Sequence, residues 1–306
     1  MKEKELRDIY PRDGELKDSP FNTVYFKSSS KMKEIPSNSV DCIITSPPYF
    51  NIKDYFMDGR QENVVTDAKS NDVGNIDSFK GYINSLLPVW KECFRVLKPN
   101  GKLCVNVPLM PMIKKDMHTH YNRDIFDIQS EIQNSILSKT DFYLMDLYIW
   151  NRKNSTKKLM FGSYPYPANF YAQNTTEFIT IYVKDGKPLP VSKEDKEKSR
   201  LTEKEWVEFT KQIWDIAIPN KSDLAFGIHS AIMPEEIARR CIKLFSFYNG
   251  VVLDPFTGSG TTLKVAKELG RQYVGYELYD SYAEIIQKKL DSVEVKKKWF
   301  TKILLI

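Results

Sequence analysis

The chain has 306 residues, of which 42% are hydrophobic and 28% are charged, a composition typical of globular proteins. No run approaches the roughly 20 consecutive apolar residues of a membrane helix, and the charged residues 1–15 lack the apolar core of a secretory signal. We therefore expect a cytoplasmic protein. The net charge of +5 is a mild indication of a polyanionic partner.

The cysteines and histidines do not predict a metal site. The four cysteines are scattered among apolar residues and form no Cys-x-x-Cys pair, so we expect buried, reduced thiols. Of the three histidines, His118 and His120 could supply half of a metal site, but no further ligand has a suitable spacing. We expect no metal cofactor.

Two apolar runs in the first part of the chain predict strands, a short one at 24–26 and a buried one at 40–45. Residues 51–78 are polar and contain two glycines, so we predict a long loop; such loops in compact domains are usually functional or disordered. Apolar residues then recur at helical spacing over 79–97. A Pro-Asn-Gly turn ends this predicted helix, and a strand follows at 102–107.

The middle of the chain predicts a helix, two strands and a polar segment. The helix fits residues 124–138, and the strands fit 142–150 and 177–184. The connection between these two strands is rich in basic, aromatic and turn residues. Residues 185–225 are polar and weakly patterned, so they form either an inserted subdomain or a set of surface loops.

The clearest pattern is a strand, a helix and a second strand over residues 251–277. The strands fit 251–254 and 272–277, and the helix between them fits 261–269. This arrangement predicts parallel strands joined by a right-handed crossover. Upstream, another helix begins with Pro234 and two acidic residues, which suit the positive end of a helix dipole.

The turn after the strand at 251–254 has the features of a ligand site. Its sequence, DPFTGSGTT, places glycines at the carboxyl end of a parallel strand, where ligands bind in open α/β sheets. Thr261 stands where a phosphate-binding P-loop needs lysine, and the G-x-G-x-x-G spacing of a dinucleotide site is not met. Glu277, at the end of the next strand, can accept hydrogen bonds from both hydroxyls of a ribose, and Asp254 suits a cation.

A ribose and a positive charge without a phosphate clamp describe S-adenosylmethionine. The alternative is that Asp254 only caps the turn and that Glu277 faces solvent.

A second motif, TSPPY at residues 45–49, follows the apolar run at 40–44, so it also lies at a strand end. Its two prolines stiffen the backbone. The Ser46 hydroxyl and the Pro47 carbonyl are acceptors suited to the hydrogens of an aromatic amine, whose lone pair must face the methyl donor. Tyr49 offers a ring on which a base can stack. Alone, this motif is weak evidence, because proline-rich turns are common.

Together, TSPPY and DPFTGSGTT resemble the catalytic and cofactor motifs of the DNA methyltransferases that methylate exocyclic amines. The resemblance covers residues 23–184 and 224–290 and includes the runs SVDCIITSPPYF, FRVLKPNGKLCVNV, EFITIYVK, HSAIMPEEIARRCIKLFS and LGRQYVGYELYDSYAEIIQKKL. The catalytic motif precedes the cofactor motif, which is the permuted order of the β class. The resemblance implies a Rossmann-like α/β fold of class I methyltransferases, with a seven-stranded, mostly parallel sheet, helices on both faces and one antiparallel edge strand.

The same resemblance implies the site residues. The flipped base is expected to contact Ser46, Pro47, Pro48 and Tyr49. S-adenosylmethionine is expected to contact Thr45, His229, Pro234, Glu235, Asp254, Pro255, Phe256, Thr257, Gly258, Ser259, Gly260, Thr261, Thr262 and Glu277. One departure concerns the cofactor adenine: many relatives carry an acid shortly after the first strand, whereas this chain has Lys-Ser-Ser-Ser at 27–30.

These motifs divide the chain into four predicted parts: an N-terminal arm at 1–22, a catalytic half at 23–184 that includes the loop 51–78, an inserted or target-recognition segment at 185–225, and a cofactor-binding half at 226–306. A base in duplex DNA must swing out to reach the cofactor. Candidate phosphate contacts are the loop 51–78 and the basic patch Arg152, Lys153, Lys157 and Lys158, for which a solvated charged surface is the alternative.

The resemblance also indicates the base. Serine before Pro-Pro-Tyr usually accompanies cytosine N4, whereas Asp or Asn usually accompanies adenine N6, so we expect cytosine N4 and keep adenine N6 as the alternative. A second alternative is a DNA-binding protein with the same fold and no activity. Double-stranded DNA is the expected partner. A homodimer and a separately encoded restriction endonuclease are further partners that the family allows.

Overall fold

The computed structural model describes residues 19–50, 76, 78–111, 125–154, 164–168, 172, 174–229 and 231–293. The strands in these ranges are β1 Thr23–Phe26, β2 Val40–Thr45, β3 Leu97–Pro108, β4 Met110–Pro111, β5 Ile125–Phe126, β6 Phe142–Arg152, β7 Thr176–Lys184, β8 Ile213–Ile216, β9 Val251–Asp254 and β10 Gln272–Glu277. The helices are α1 Phe79–Val96, α2 Ile128–Lys139, α3 Lys193–Lys198, α4 Glu203–Phe209, α5 Glu235–Phe245, α6 Thr261–Glu268 and α7 Ala283–Asp291, with a 3₁₀ turn at Asp280–Tyr282.

The main sheet has the strand order β1-β10-β9-β2-β3-β7-β6-β8, and β4 pairs separately with β5. Within the described ranges, β7 is the one strand of the main sheet that runs against its neighbours, β3 and β6. The class I methyltransferase fold predicted from the sequence is therefore confirmed, with two differences in detail. The sheet has eight strands instead of seven, and its antiparallel strand lies inside the sheet instead of at the edge.

Both differences have a local cause. The eighth strand, β8, comes from the polar segment 185–225 and pairs in parallel with the end of β6. It is only four residues long, with Trp214 and Ile216 buried and the alternate residues exposed, which is too short a pattern to stand out. After β3 the chain passes through α2 and forms β6 one strand position away from β3. The next strand, β7, then pairs between β3 and β6, so it lies inside the sheet.

Predicted element boundaries shift by a few residues where capping decides them. α1 begins after Ser78, whose hydroxyl accepts from the Gly81 backbone N–H at 3.1 Å. α2 begins at Ile128 rather than at 124, because the Asp127 carboxylate accepts from the Ser130 N–H at 3.1 Å. The strands predicted at 251–254 and 272–277 are found with the same bounds.

The core lies on both faces of the sheet. On one face, Ile43 and Leu103 belong to a buried cluster with α1 residues such as Trp90. On the other face, the alternate strand residue Ile44 packs in a cluster with Ile237 of α5. Because both faces of β2 are covered, its sequence is an almost continuous apolar run.

Four cysteines contribute to these clusters, as the sequence predicted: Cys42, Cys93, Cys104 and Cys241 are buried free thiols. Burial raises the pKa of the Cys93 and Cys104 thiols. Among the helices of the described ranges, none has the length and apolar character that crossing a membrane requires.

Candidate functional site

The ends of two neighbouring strands bring the two sequence motifs together. β2 and β9 are parallel, with Ile43 opposite Leu253. Their carboxyl ends therefore lie at the same edge of the sheet, and the Thr45 hydroxyl donates to Asp254 Oδ1 at 2.8 Å. TSPPY begins with Thr45 and DPFTGSGTT begins with Asp254, so motifs from opposite ends of the chain form one site.

The Asp254 carboxylate is buried and stabilises the contact between the two motifs. It also accepts from the Phe256 N–H at 3.0 Å and from the Thr262 hydroxyl. Burial raises its pKa to about 6, and the three donors oppose that shift. The turn-capping role that the sequence left open for Asp254 is thus present, and the carboxylate joins β9 to both β2 and α6.

The glycine-rich turn has a backbone that larger residues would disturb. Gly258 has φ +52°, and a Cβ added there would lie 2.8 Å from His229 Nε2, so the imidazole rests directly on the turn. His229 Nδ1 accepts from the Ala231 N–H at 3.2 Å. Burial, together with the charge of Lys289, lowers the pKa of His229 to about 4, so the ring is neutral near pH 7.

Glu277 completes the turn from the neighbouring strand β10. Its Oε2 accepts from the Gly258 N–H at 2.8 Å, and its Oε1 accepts from the Tyr279 N–H at 2.9 Å. Only 8% of the residue is exposed, so the alternative in which Glu277 faces solvent does not hold. Burial raises its pKa to about 7, against the effect of its backbone donors.

The serine run after β1 lies at the same edge. Phe26, the last residue of β1, pairs with Glu277 of β10. Beyond it the Ser28 hydroxyl donates to Ser30 Oγ at 3.1 Å. Hydroxyls rather than a carboxylate therefore follow the strand next to Glu277.

A buried lysine that the sequence analysis did not single out supports the turn. Lys289 of α7 is 1% exposed, and its Nζ donates to Ser259 Oγ at 3.2 Å and to Thr261 Oγ1 at 2.9 Å. Asp223 pairs with the same ammonium at 3.1 Å. The available signal was its spacing, because position 289 falls on the apolar face of α7 with Ile285.

The Ser46 and Tyr49 hydroxyls join a second, partly buried network. Ser46 Oγ donates to the Tyr49 hydroxyl at 3.1 Å, and this hydroxyl donates to Glu177 Oε2 at 3.4 Å. The same oxygen accepts from Asn106 Nδ2 at 2.7 Å, and Glu177 Oε1 lies 3.4 Å from an Arg152 guanidinium nitrogen. Glu177 and Asn106 were missed, although each is a polar residue within an apolar strand pattern.

The remaining predicted residues are placed as follows. Pro234 precedes α5, and Glu235 opens it and pairs with Lys264 of α6. Arg152 of the basic patch faces inward, toward Glu177 and the Asn174 carbonyl, whereas Lys153 is exposed. Outside the described residues lie Lys157, Lys158, His118, His120 and most of the loop 51–78.

The edge suits a nucleoside better than a phosphate. Glu277 offers carboxylate oxygens, and glycine is needed at 258 and 260 because a Cβ there would crowd His229 and Ile286. The two described lysines beside the turn, Lys264 and Lys289, are paired with Glu235 and Asp223. Across the described ranges, no group of three or more His, Cys, Asp or Glu residues could hold a metal ion.

Comparison with known proteins agrees with this geometry. Residues 40–288 match the N6/N4 methyltransferase family model, described as DNA methylase. The type II methyltransferase M.MjaI of Methanocaldococcus jannaschii is 30% identical over 282 residues, covering 87% of this chain and 90% of M.MjaI. TTHA0409 of Thermus thermophilus, described as a DNA modification methylase and solved with S-adenosyl-L-methionine, superimposes with a TM-score of 0.68 at 26% identity, over 88% of this chain and 93% of that one.

The cytosine-N4-specific PvuII DNA methyltransferase superimposes with a TM-score of 0.58 at 17% identity, over 89% of this chain and 93% of that one. This likeness shows a shared fold.

Proposed function

This chain belongs to the N6/N4 DNA methylases, and we propose that it methylates N4 of cytosine in double-stranded DNA. It is an S-adenosylmethionine-dependent DNA methyltransferase that acts on cytosine N4 or adenine N6. The choice of cytosine rests on Ser46, because serine before Pro-Pro-Tyr usually accompanies cytosine N4 in the proteins that this motif resembles. Ser46 lies beside the cofactor turn, one residue after the Thr45–Asp254 hydrogen bond.

The observation that supports methyl transfer, whichever base is used, is the shared edge of β2 and β9. S-adenosylmethionine, when bound, supplies an electrophilic methyl group. In our proposal the Glu277 carboxylate accepts from the ribose hydroxyls, and the backbone around Gly258 and Gly260 allows the cofactor to approach closely. His229, neutral and seated on the turn, covers the cofactor beside Pro234 and Glu235.

The target base would be held by the other motif. Ser46 Oγ and the Pro47 carbonyl accept the amino hydrogens, which turns the nitrogen lone pair out of conjugation and toward the methyl group. Tyr49 stacks on the base, a contact worth about 1–3 kcal/mol. This does not fully offset base flipping, which costs a few kcal/mol, so phosphate contacts must contribute the rest.

We assign those phosphate contacts to Lys153, Lys157, Lys158 and the loop 51–78. Arg152 would act differently from the prediction, because its guanidinium pairs with Glu177 inside the protein. We also assign contact with DNA to Tyr164 and Tyr166, two exposed tyrosines in the same connection between β6 and β7. The segment 185–225 is our candidate for target recognition, although it also supplies β8 to the main sheet.

Four further assignments remain predictions: the β class, a homodimer, a companion endonuclease and a cytoplasmic location.

Product analysis tests the proposed base. Unmethylated DNA is incubated with the purified protein and S-adenosylmethionine and hydrolysed, and the nucleosides are identified by mass spectrometry. We expect N4-methylcytosine, and transfer should be lost in Ser46→Ala. N6-methyladenine as the sole product would overturn the choice of cytosine, and no transfer by the wild-type protein would favour an inactive DNA-binding protein.

A further inference from the structure

The buried Glu177 carboxylate contacts Tyr49 of the TSPPY motif and has no role in the function proposed above. Glu177 lies near the start of β7, opposite Pro108 of β3 and Trp150 of β6. Its side chain is 7% exposed, and burial raises the pKa of its carboxyl group. Buried carboxylates are uncommon unless they are paired. The partners of Glu177 lead directly to Ser46.

The donors around Glu177 decide the direction of the hydroxyl chain. An ionised carboxylate can only accept hydrogen bonds, so the Tyr49 hydroxyl must donate to Glu177 Oε2. The Tyr49 oxygen then accepts from Ser46 Oγ at 3.1 Å. The Ser46 oxygen consequently presents its lone pairs, rather than its proton, to a group in the site.

Neighbouring residues keep the carboxylate in this arrangement. Asn106 Nδ2 donates to Glu177 Oε2 at 2.7 Å, and the Arg152 guanidinium faces Oε1 at 3.4 Å. The positive charge of Arg152 beside the carboxylate favours its ionised form. The Tyr49 contact, at 3.4 Å, is the longest of the hydroxyl bonds, as is common at catalytic sites before substrate binds.

We propose that Glu177 is a positioning residue for methyl transfer, which sets the direction of the Ser46–Tyr49 hydroxyl chain and receives through it the proton that the amine loses. This rests on the proposed amino-methyl transfer but holds for cytosine or adenine. Its oxygens act through Tyr49 and Ser46 rather than on the base.

The proton balance is complete without another reactant. The amine lone pair forms the new N–C bond while the C–S bond breaks, and that electron pair stays on sulfur. The nitrogen, now cationic, releases a proton to Ser46 Oγ. The Ser46 proton passes to Tyr49 and the Tyr49 proton passes to Glu177, which ends as a neutral carboxylic acid.

A double-mutant cycle tests the chain. Glu177→Gln keeps the shape of the side chain and removes its charge, and Tyr49→Phe keeps the ring and removes the hydroxyl. Each should lower kcat by about 10²–10⁴-fold, the usual contribution of proton transfer, with the Kd for S-adenosylmethionine and for DNA unchanged. Because both residues serve one path, the double variant should be no slower than the worse single variant.

Glu34→Gln is the matched control. Glu34 Oε2 also accepts from a tyrosine hydroxyl, that of Tyr276 at 3.0 Å, and the carboxylate pairs with Lys27, but this group lies outside the TSPPY network. We expect its kcat to equal that of the wild type.

Several results would overturn the proposal. One is full kcat in Glu177→Gln or in Tyr49→Phe. Additive losses of kcat in the double variant would show that the two residues do not serve one path. A loss of kcat explained by lower thermal stability or by weaker cofactor binding would show that Glu177 has a structural role instead. If Glu177→Gln fails to fold, the kcat of Tyr49→Phe tests the hydroxyl chain, and full kcat in that variant overturns the proposal. Failure of the proposed function is seen separately, in the wild-type product.

Discussion

The Thr45 hydroxyl donates to Asp254 Oδ1 at 2.8 Å, and this buried bond joins residues 209 positions apart in the chain. Thr45 ends β2 and precedes Ser46, while Asp254 ends β9 and opens the cofactor turn. The bond therefore sets the distance between the residues that hold the base and those that hold the cofactor. Methyl transfer is sensitive to such spacing, because misplacement by about 1 Å can cost about 100-fold in rate.

Thr45→Val tests this link. Valine has nearly the same shape but removes one of the two donors to Asp254 Oδ1, which keeps the Phe256 N–H. A hydrogen bond to a charged group contributes about 1–3 kcal/mol, so we expect the free energy of unfolding to fall by about that amount. We also expect a lower kcat. Urea unfolding and methyl-transfer assays measure the two effects.

Thr180→Val in β7 is the control for a buried threonine, because the Thr180 hydroxyl contacts the uncharged side chains of Gln129, at 3.5 Å, and Tyr182 rather than a buried carboxylate. Equal losses of stability and activity in the two variants would contradict a specific role for Thr45.

Gly258→Ala is expected to weaken cofactor binding. Its φ of +52° is left-handed, and a Cβ would meet His229 Nε2 at 2.8 Å. Gly227 also has a left-handed φ, +80°, but a Cβ there meets nothing within 4 Å. Gly227→Ala therefore carries the backbone strain without the clash.

Calorimetric titration should show at least about a tenfold larger Kd in Gly258→Ala than in Gly227→Ala, which is about 1.4 kcal/mol. Similar values for the two alanine variants would mean that the contact with His229 does not shape the turn.

The parallel strands and the cofactor turn could be predicted from the sequence because their signals are local. Strand β9 is an apolar run that ends at Asp-Pro, and Gly258 and Gly260 mark the turn that follows it. That TSPPY and DPFTGSGTT would serve one site followed from the family resemblance rather than from periodicity. β8 was missed because four residues carry too little pattern.

The polar networks could not be predicted because their partners are distant in the chain. Asn106 and Glu177 are 71 residues apart and meet only through the pairing of β3 with β7. Arg152 was predicted to contact phosphate because its neighbours are basic, but strand pairing places its guanidinium beside Glu177. The network of Lys289 was missed for a similar reason. A lysine is usually exposed to solvent, whereas its position on the apolar face of α7 indicates burial, and its partner Asp223 is distant in the chain.

Lys289→Met should destabilise the protein strongly. The substitution leaves Asp223, whose side chain is 11% exposed, without its cation, and it removes the donors to Ser259 and Thr261. Breaking a buried pair in this way costs about 3–5 kcal/mol. S-adenosylmethionine binding should also weaken, because the turn loses its support.

Lys288→Met is the control for this substitution. Lys288 is the adjacent residue, its side chain is 60% exposed, and its pair with Glu284 is a surface ion pair within one helix, of a kind worth about 0–1 kcal/mol. Chemical denaturation of both variants measures the difference. A loss in Lys289→Met as small as that in Lys288→Met would contradict the supporting role.

Stability should depend on pH through the two acids of the cofactor edge. Burial raises the pKa of Asp254 from 3.8 to about 6 and that of Glu277 from 4.5 to about 7. Since the folded state binds these protons more tightly than the unfolded state, their contribution to stability is present below about pH 4 and is lost as the pH rises to about 7. For Glu277 the change is on the order of 3 kcal/mol, at 1.36 kcal/mol for each pKa unit.

Glu277→Gln isolates this effect, because glutamine does not titrate. The difference in unfolding free energy between the wild type and this variant should shift by that amount between pH 5 and pH 8, in favour of the variant at high pH. Glu284→Gln, at an exposed carboxyl on α7, should leave the profile unchanged between pH 5 and pH 8, because its hydrogen bond with Lys288 lowers the pKa of Glu284. The ionised Glu277 is also the form that accepts from ribose hydroxyls, so the wild type should bind S-adenosylmethionine more tightly at pH 8 than at pH 6. Parallel profiles for the wild type and Glu277→Gln would show that Glu277 titrates near its ordinary pKa and would remove this explanation.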